Sequence, residues 1–295
     1  MKKGNAIVLI LVMMLAACTN DADFVAPAFL HVEDINVVGN TISTDTGFYT
    51  SDISGAYVVA HFNGKMNEDT IGMFELPFTV PVLYSGATDY IDIYPAVRMS
   101  GITATQPYYS FYTSKRISGV TLSSTDTTDL GHLSVDYAIG LDGVLVFEPF
   151  EPTEASTMFD SVMTWERYAP AEARSGVGYG RLHVNASQST RATFIEQDII
   201  VTDPSSTVYI EFDIKSDIRV QIEMTSQQYE GANSETLSVM VCYPTSQWQH
   251  MYVNLGRTWR DFNHNPSFRV SFNALNVDNI DGDVRLDNVK IIKRS

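Results

Sequence analysis

Trp165, Trp248 and Trp259 are the only tryptophans in 295 residues, and with Tyr229 they are the side chains best suited to recognition chemistry. Flat aromatic faces stack on the apolar C–H faces of sugars, and Tyr and Trp also anchor protein interfaces. Trp259 and Phe262 lie in Gly256-Arg257-Thr258-Trp259-Arg260-Asp261-Phe262-Asn263-His264, and Trp165 lies in Thr164-Trp165-Glu166-Arg167-Tyr168. Both stretches read as polar loops, and Tyr229 sits in a Gln-rich one. Loop aromatics beside Arg, Asp and Asn suit a ligand site, which nominates Trp259, Phe262, Trp165 and Tyr229. The competing reading is that these loop tips fold back onto a sheet. Trp248 opens a strand and reads as core. Catalytic chemistry finds no motif. No Gly-x-Ser-x-Gly elbow is present, and the six histidines have no local metal-ligand spacing. Gly176, Gly178 and Gly180 are not followed by the Lys-Ser/Thr of a phosphate loop.

The elements that position these residues are short and β-rich. No window keeps helical apolar spacing between two caps; Ser161–Arg174 has room for a helical turn or two, interrupted by Pro170. In the first half the runs Phe29–Val38, Ala56–Phe62, Ile71–Glu75, Val80–Leu83, Tyr90–Tyr94, Ser110–Ile117 and Leu133–Ile139 read as strands, with turns at Asn63-Gly64 and Ser85-Gly86. Pro77 and Pro81 suit an edge strand or a strand start. Thr121–Asp129 reads as a linker or a long loop. In the second half strands are expected near Gly143–Phe147, Gly180–Asn185, Ala192–Ile200, Ser206–Ile214, Val220–Thr225, Thr236–Cys242, Gln249–Leu255, Phe268–Ala274 and Val284–Ile292. Val208, Ile210, Phe212 and Ile214 alternate, as do Phe268, Val270 and Phe272, which predicts one buried and one wet face. The length suits about two domains. Nineteen Lys+Arg against 35 Asp+Glu give a net charge of −16, which excludes a basic nucleic-acid footprint. Two cysteines exclude a disulfide-dense scaffold.

Lys2 and Lys3, the apolar run Ala6–Ala17 and the small residues before Cys18 form a secretory signal. The ending Leu15-Ala16-Ala17-Cys18 resembles the bacterial lipobox. The resemblance implies cleavage before Cys18, lipidation of its thiol and acylation of the new amino terminus, and so a membrane partner. Cys242 then remains alone, without an intramolecular disulfide. Thr19-Asn20-Asp21-Ala22-Asp23 resembles the acidic export signals of Bacteroidota surface lipoproteins; a plain solvated linker is the alternative. The tether before Phe29 reaches at most ~35 Å, which keeps the folded part close to the membrane.

Ala56–Lys65 followed by Ile71–Pro77 is similar to small immunoglobulin-like or PEGA-like surface modules. In the second half, Val146-Phe147-Glu148, Tyr179–Val184, Ile210–Ile214, Trp248–Leu255 and the closing Val284-Arg285-Leu286-Asp287-Asn288-Val289-Lys290-Ile291 together resemble the jelly-roll carbohydrate-binding modules of glycan-active bacterial proteins. That resemblance implies that Glu148 and Asp287 share a structural Ca²⁺; two unconnected surface acids are the other reading. The expected organisation is all-β: a signal peptide (1–17), a lipidated tether (18–28), an immunoglobulin-like β-sandwich (29–142) and a jelly-roll β-sandwich (143–295). The expected function is a non-catalytic outer-membrane lipoprotein, on the periplasmic or cell-surface side, that docks into a membrane protein complex through the second sandwich. A polysaccharide-binding lipoprotein using the loop aromatics is the alternative, and a glycoside hydrolase a distant third.

Overall fold

Alternation of small or β-branched residues with larger polar ones builds the first half. The computed structural model describes residues 26–39, 41–62, 69–152, 158–226, 234–262 and 267–295. Cys18, the Asn63-Gly64 turn and Tyr229 lie outside them. Ten strands come first: β1 (Ala28–Val32), β2 (Asp34–Val37), β3 (Ile53–Phe62), β4 (Asp69–Glu75), β5 (Phe78–Val82), β6 (Gly86–Val97), β7 (Lys115–Ser118), β8 (Thr121–Leu122), β9 (Thr127–Asp129) and β10 (His132–Val135). One sheet runs β4-β3-β6-β7 with β8 added on β6; β5-β1-β9 and β10-β2 complete the sandwich. Ala56, Val58, Ala60, Ile91 and Ile93 face Leu30, Val32, Val80 and Phe48 in its core. Pro81 lies in β5, which pairs only with β1, so its missing N–H costs no ladder bond.

Three expectations need correcting here. Phe29–Val38 is two strands, because the chain breaks at Glu33 and β2 leaves β1 to pair with β10. Ser110–Ile117 is strand only from Lys115; Phe111 and Tyr112 are instead buried. Thr121–Asp129 is not a linker, since it carries β8 and β9.

The second half contains β11 (Val144–Glu148), β12 (Thr164–Glu166), β13 (Tyr179–Val184), β14 (Thr190–Phe194), β15 (Ile199–Ile200), β16 (Thr207–Ser216), β17 (Arg219–Ser226), β18 (Thr236–Cys242), β19 (Thr245–Asn254), α1 (Gly256–Asp261), β20 (Ser267–Leu275) and β21 (Gly282–Arg294). A six-stranded sheet, β12-β13-β21-β16-β19 with β11 on β21, packs against a five-stranded one, β14-β20-β17-β18 with β15 on β20. Val208, Ile210, Phe212 and Ile214 meet Val220, Ile222, Phe268, Val270 and Phe272 between them. The molecule is therefore all-β and built from sandwiches. No helix occupies Ser161–Arg174, where β12 and turns stand instead.

The closing strand carries a bulge. Glu211 pairs with Lys290 and Asp213 with Asp287, so one extra residue of β21 opposes Phe212. Asn288 absorbs it in the left-handed region at φ 50°. The bulge resets the alternation: Val284 and Leu286 before it and Val289 and Ile291 after it all face the core. Asp287 and Lys290 are thereby both turned to the sheet's other face.

Trp259 is the largest correction. Its stretch is a short helix, α1, with the Trp259 N–H bonded to the Leu255 carbonyl, and the side chain is 1% exposed. Phe262 is buried beside it. The charged neighbours Arg257, Arg260 and Asp261 lie on the helix's outer side. We expect Trp259→Ala to cost about 3–5 kcal/mol of stability, the range for deleting a buried aromatic. Tyr168→Ala, at a position 76% exposed, should stay within about 0.5 kcal/mol. Urea unfolding midpoints check both.

Candidate functional site

The outward face of the six-stranded sheet was expected to be wet, and its β16 portion is dry. Along β16 the polar positions Glu211 and Asp213 are 0% exposed, and Tyr209 is buried beside them. The first sandwich covers them: Tyr209, Tyr252 and Ile292 join its core with Phe48, Tyr109, Phe111, Tyr112 and Tyr137. Gly47 brings that cover close, for a Cβ there would stand 2.0 Å from Asn288 Oδ1.

A buried charge cluster fills this interface. Glu211 accepts from Tyr109 O–H (2.5 Å) and Tyr137 O–H (2.7 Å) and faces Lys290 Nζ (3.2 Å) and His250 Nε2 (3.4 Å). Asp213 meets His250 Nδ1 (3.1 Å), accepts from Thr50 O–H and Asn288 Nδ2 (2.9 Å each), and pairs with Arg174 Nε (3.4 Å). Lys290 also donates to the Phe48 carbonyl at 2.6 Å. Burial opposes ionisation of both acids, but Lys290 and His250 hold Glu211 down to about 2, and His250 with Asn288 holds Asp213 to about 2. Burial works against the His250 cation too, yet Asp213 and Glu211 raise it above its ordinary value. Asp287 moves the other way. Burial, then the nearby Asp213 charge, push it up to about 8, against backbone N–H groups of Ser175, Arg174 and Asn288. Burial and the Glu211 charge keep the four phenols Tyr109, Tyr112, Tyr137 and Tyr252 neutral. With its carboxylates buried, this cluster joins the two sandwiches.

The expected calcium pair does not assemble. Glu148 lies on the core side of β11 with Val146 and faces Val289 across the ladder, whereas Asp287 faces the first sandwich. The Glu148 carboxylate accepts the Phe150 and Met158 N–H groups (2.8 and 2.5 Å), and Asp287 accepts three others. These residues do not fit a shared Ca²⁺ site. Among the described residues, no three His, Cys, Asp or Glu side chains gather as a metal-ligand group. Trp165 is no open platform either: it packs on the second core, donates its indole N–H to the Phe150 carbonyl, and carries the Arg167 guanidinium 3.9 Å over its ring. Cys242 is buried, which pushes its thiol up to about 12.

The surface that does present aromatic rings is on the first sandwich. Along β3 the inward residues are Ala56, Val58 and Ala60, while Tyr57, Val59 and His61 face out. Tyr94 and Tyr90 of β6 lie directly across from Tyr57 and His61. Tyr108 is exposed and meets Tyr94 edge-on at 5.4 Å. Tyr57 and Met73 line an open groove of about 360 Å³ with Glu75, Thr103, Ala104 and Gln106. Further along, His61 stacks on Tyr90 at 4.3 Å, and Arg116 lies 3.7 Å over Tyr90 while forking onto Asp92 (2.8 and 2.7 Å). None of these residues was nominated from the sequence.

No protein-family model matches the chain, and no curated protein does. Solved structures with similar folds include a family 11 carbohydrate-binding module from Clostridium thermocellum in complex with a β-1,3-1,4-mixed-linked tetrasaccharide (15% identity, 50% of this chain and 95% of that one, TM-score 0.37). They also include the family 30 module of a C. thermocellum cellulosomal cellulase (18% identity, 50% and 91%, TM-score 0.34) and a family 61 module bound to β-1,4-galactotriose (11% identity, 46% and 86%, TM-score 0.31). Each covers about half of this chain.

Two outcomes test the interface. Lys290→Met leaves the buried Glu211 without its lysine partner and should cost about 3–5 kcal/mol, much of it recovered by adding Glu211→Gln. Unfolding titrations should also show a stability maximum on the acid side of neutrality. The lowered Glu211 and Asp213 give stability that is present above their unfolded values and lost as pH falls toward 2. The raised Asp287 gives stability that is present below its unfolded value and lost as pH rises through about 8; His250 acts in the same direction. Midpoints that stay level from pH 5 to 9 would contradict this assignment.

Proposed function

We propose that the chain is a non-catalytic, lipid-anchored carbohydrate-binding protein of the bacterial outer membrane, and that it binds through the outward face of the first sandwich. The observation that carries this reading is the half-exposed aromatic row on β3 and β6, Tyr57 and Tyr94 with Tyr108, beside an open groove edged by Glu75 and Gln106. Rings held by a rigid sheet offer flat apolar area at little cost in ordering, and the groove edges supply hydrogen-bonding groups for sugar hydroxyls. The immunoglobulin-like character of this sandwich and the jelly roll behind it belong to the same proposal, as does attachment through Cys18.

Docking into a membrane complex through the second sandwich draws less support. The inner half of its six-stranded sheet's outward face is spent on the first sandwich. The exposed large apolar side chains, among them Leu83, Leu141, Ile200 and Val277, come from separate segments of both sandwiches. A hydrolase reading lacks an accessible carboxylate pair in the interface, where Glu211, Asp213 and Asp287 are all buried.

Retention on immobilised neutral polysaccharides should weaken about tenfold or more in Tyr57→Ala and Tyr94→Ala, since loss of one stacked ring removes on the order of 1.4 kcal/mol. Tyr243→Ala, an exposed tyrosine of the second sandwich, should bind as wild type. Full retention by both sheet variants would sink the assignment of this face.

A further inference from the structure

We infer, resting on that reading, that the face takes a linear, uncharged polysaccharide laid along the strands, stacked at one end and hydrogen-bonded at the other. Two cross-strand pairs define the ends. Tyr57 and Tyr94 form one, and His61 and Tyr90 the other, four residues further along β3. At the rise of an extended strand that separation is about 13 Å. One sugar ring, about the size of one tyrosine ring, does not reach across it; an oligomer does.

The ends differ in chemistry. At the first, Tyr57 lines the groove and Tyr108 stands exposed beside Tyr94, which leaves ring area for a sugar's C–H face. At the second, His61, Tyr90 and Arg116 come from three neighbouring strands, β3, β6 and β7, and stack across the sheet. His61 takes one side of Tyr90 and Arg116 the other. The ladder therefore offers edges to solvent rather than a ring face. Asp92 takes Nε and Nη2 of Arg116, which turns Nη1 away from the carboxylate, and the Arg116 side chain is 55% exposed. The Tyr90 hydroxyl and Arg116 Nη1 are the donors this end offers to sugar hydroxyls.

Charge selects the class of chain. Asp92 is paired by Arg116 and Glu75 faces Arg98 at 3.9 Å, so the charges of the face cancel locally. The protein as a whole carries −16, which repels uronate or sulfate polymers. Between the ends lie Val59 and the buried Asp92, whose charge Arg116 cancels, so the floor has no net charge. A neutral chain passes over it without desolvating an unpaired ion.

Direct binding of the full chain to length series of linear neutral β-glucan, mannan and galactan oligomers, with oligogalacturonates as the charged series, tests this. In at least one neutral series, long oligomers should bind about tenfold tighter than disaccharides, the equivalent of one added site of about 1.4 kcal/mol. Tyr90→Ala should collapse that ratio. Tyr90→Phe, which keeps the stacked ladder and deletes only the O–H, should lower it partway and guards against misfolding. Neutral oligomers bound with no length dependence, a ratio unmoved by both Tyr90 variants, or a preference for galacturonates would each overturn the inference while leaving carbohydrate binding intact. Failure to bind any glycan would overturn the proposed function and this inference with it.

Discussion

Two acids and two bases with no access to water, Glu211, Asp213, His250 and Lys290, set the terms on which the two sandwiches coexist. Withdrawing such groups from solvent costs several kcal/mol per ion, and mutual attraction offsets this only when every remaining lone pair and proton is met. The first sandwich supplies the missing partners: phenols from Tyr109 and Tyr137, the hydroxyl of Thr50 and the carbonyl of Phe48. Neither half completes the cluster alone. A second sandwich parted from the first would keep all four ions, rehydrated on a sheet face flanked by Tyr209, Tyr252 and Ile292. The cluster is thus a device of registration more than of net stability: it tolerates one docking geometry and penalises slippage.

That registration depends on the single inserted residue in β21. Without Asn288 in its left-handed conformation, the alternation of Asp287 would continue unbroken, and Lys290 would point into the core of the second sandwich while Val289 and Ile291 turned out. The same Asn288 donates to Asp213 and leaves room beneath Gly47 for the covering turn. Backbone geometry, charge placement and the close approach of the sandwiches are one arrangement seen at three scales. Its consequence is subtraction: the face of the second sandwich beneath the cover is no longer a surface, and only what remains outside it is open to a ligand.

The strands of the second half were legible where their core positions keep the period of two, as Val208 to Ile214 and Phe268 to Phe272 show. The dry reverse face of β16 was not. Glu211 and Asp213 on an alternating strand read as solvent-facing, and the partner that buries them lies about one hundred residues away, at Tyr109. Trp259 and Phe262 misled for a local reason: Arg257, Arg260 and Asp261 made the segment read as a polar loop, yet one helical turn sends those charges outward and the rings in. Asp287-Asn288-Val289 was visible as a closing motif, but the bulge that explains it requires knowing which residues oppose it.

A signal for the aromatic face did exist in β3, and its meaning is energetic. Ala56, Val58 and Ala60 point inward while Tyr57, Val59 and His61 point outward, so the larger rings sit on the wetter side. Folding alone favours the reverse, because burying a tyrosine removes far more apolar area from water than burying an alanine. Part of the pattern is steric: small inward residues let Leu30, Phe48 and Val80 approach the sheet. Sterics does not require rings on the opposite side, where short polar residues would serve solubility better. Nor does it explain why Tyr94 and Tyr90 repeat the choice directly across the ladder. A pairing of large rings on two adjacent strands, held on the side from which folding gains least, is what a surface selected for contact with something else looks like.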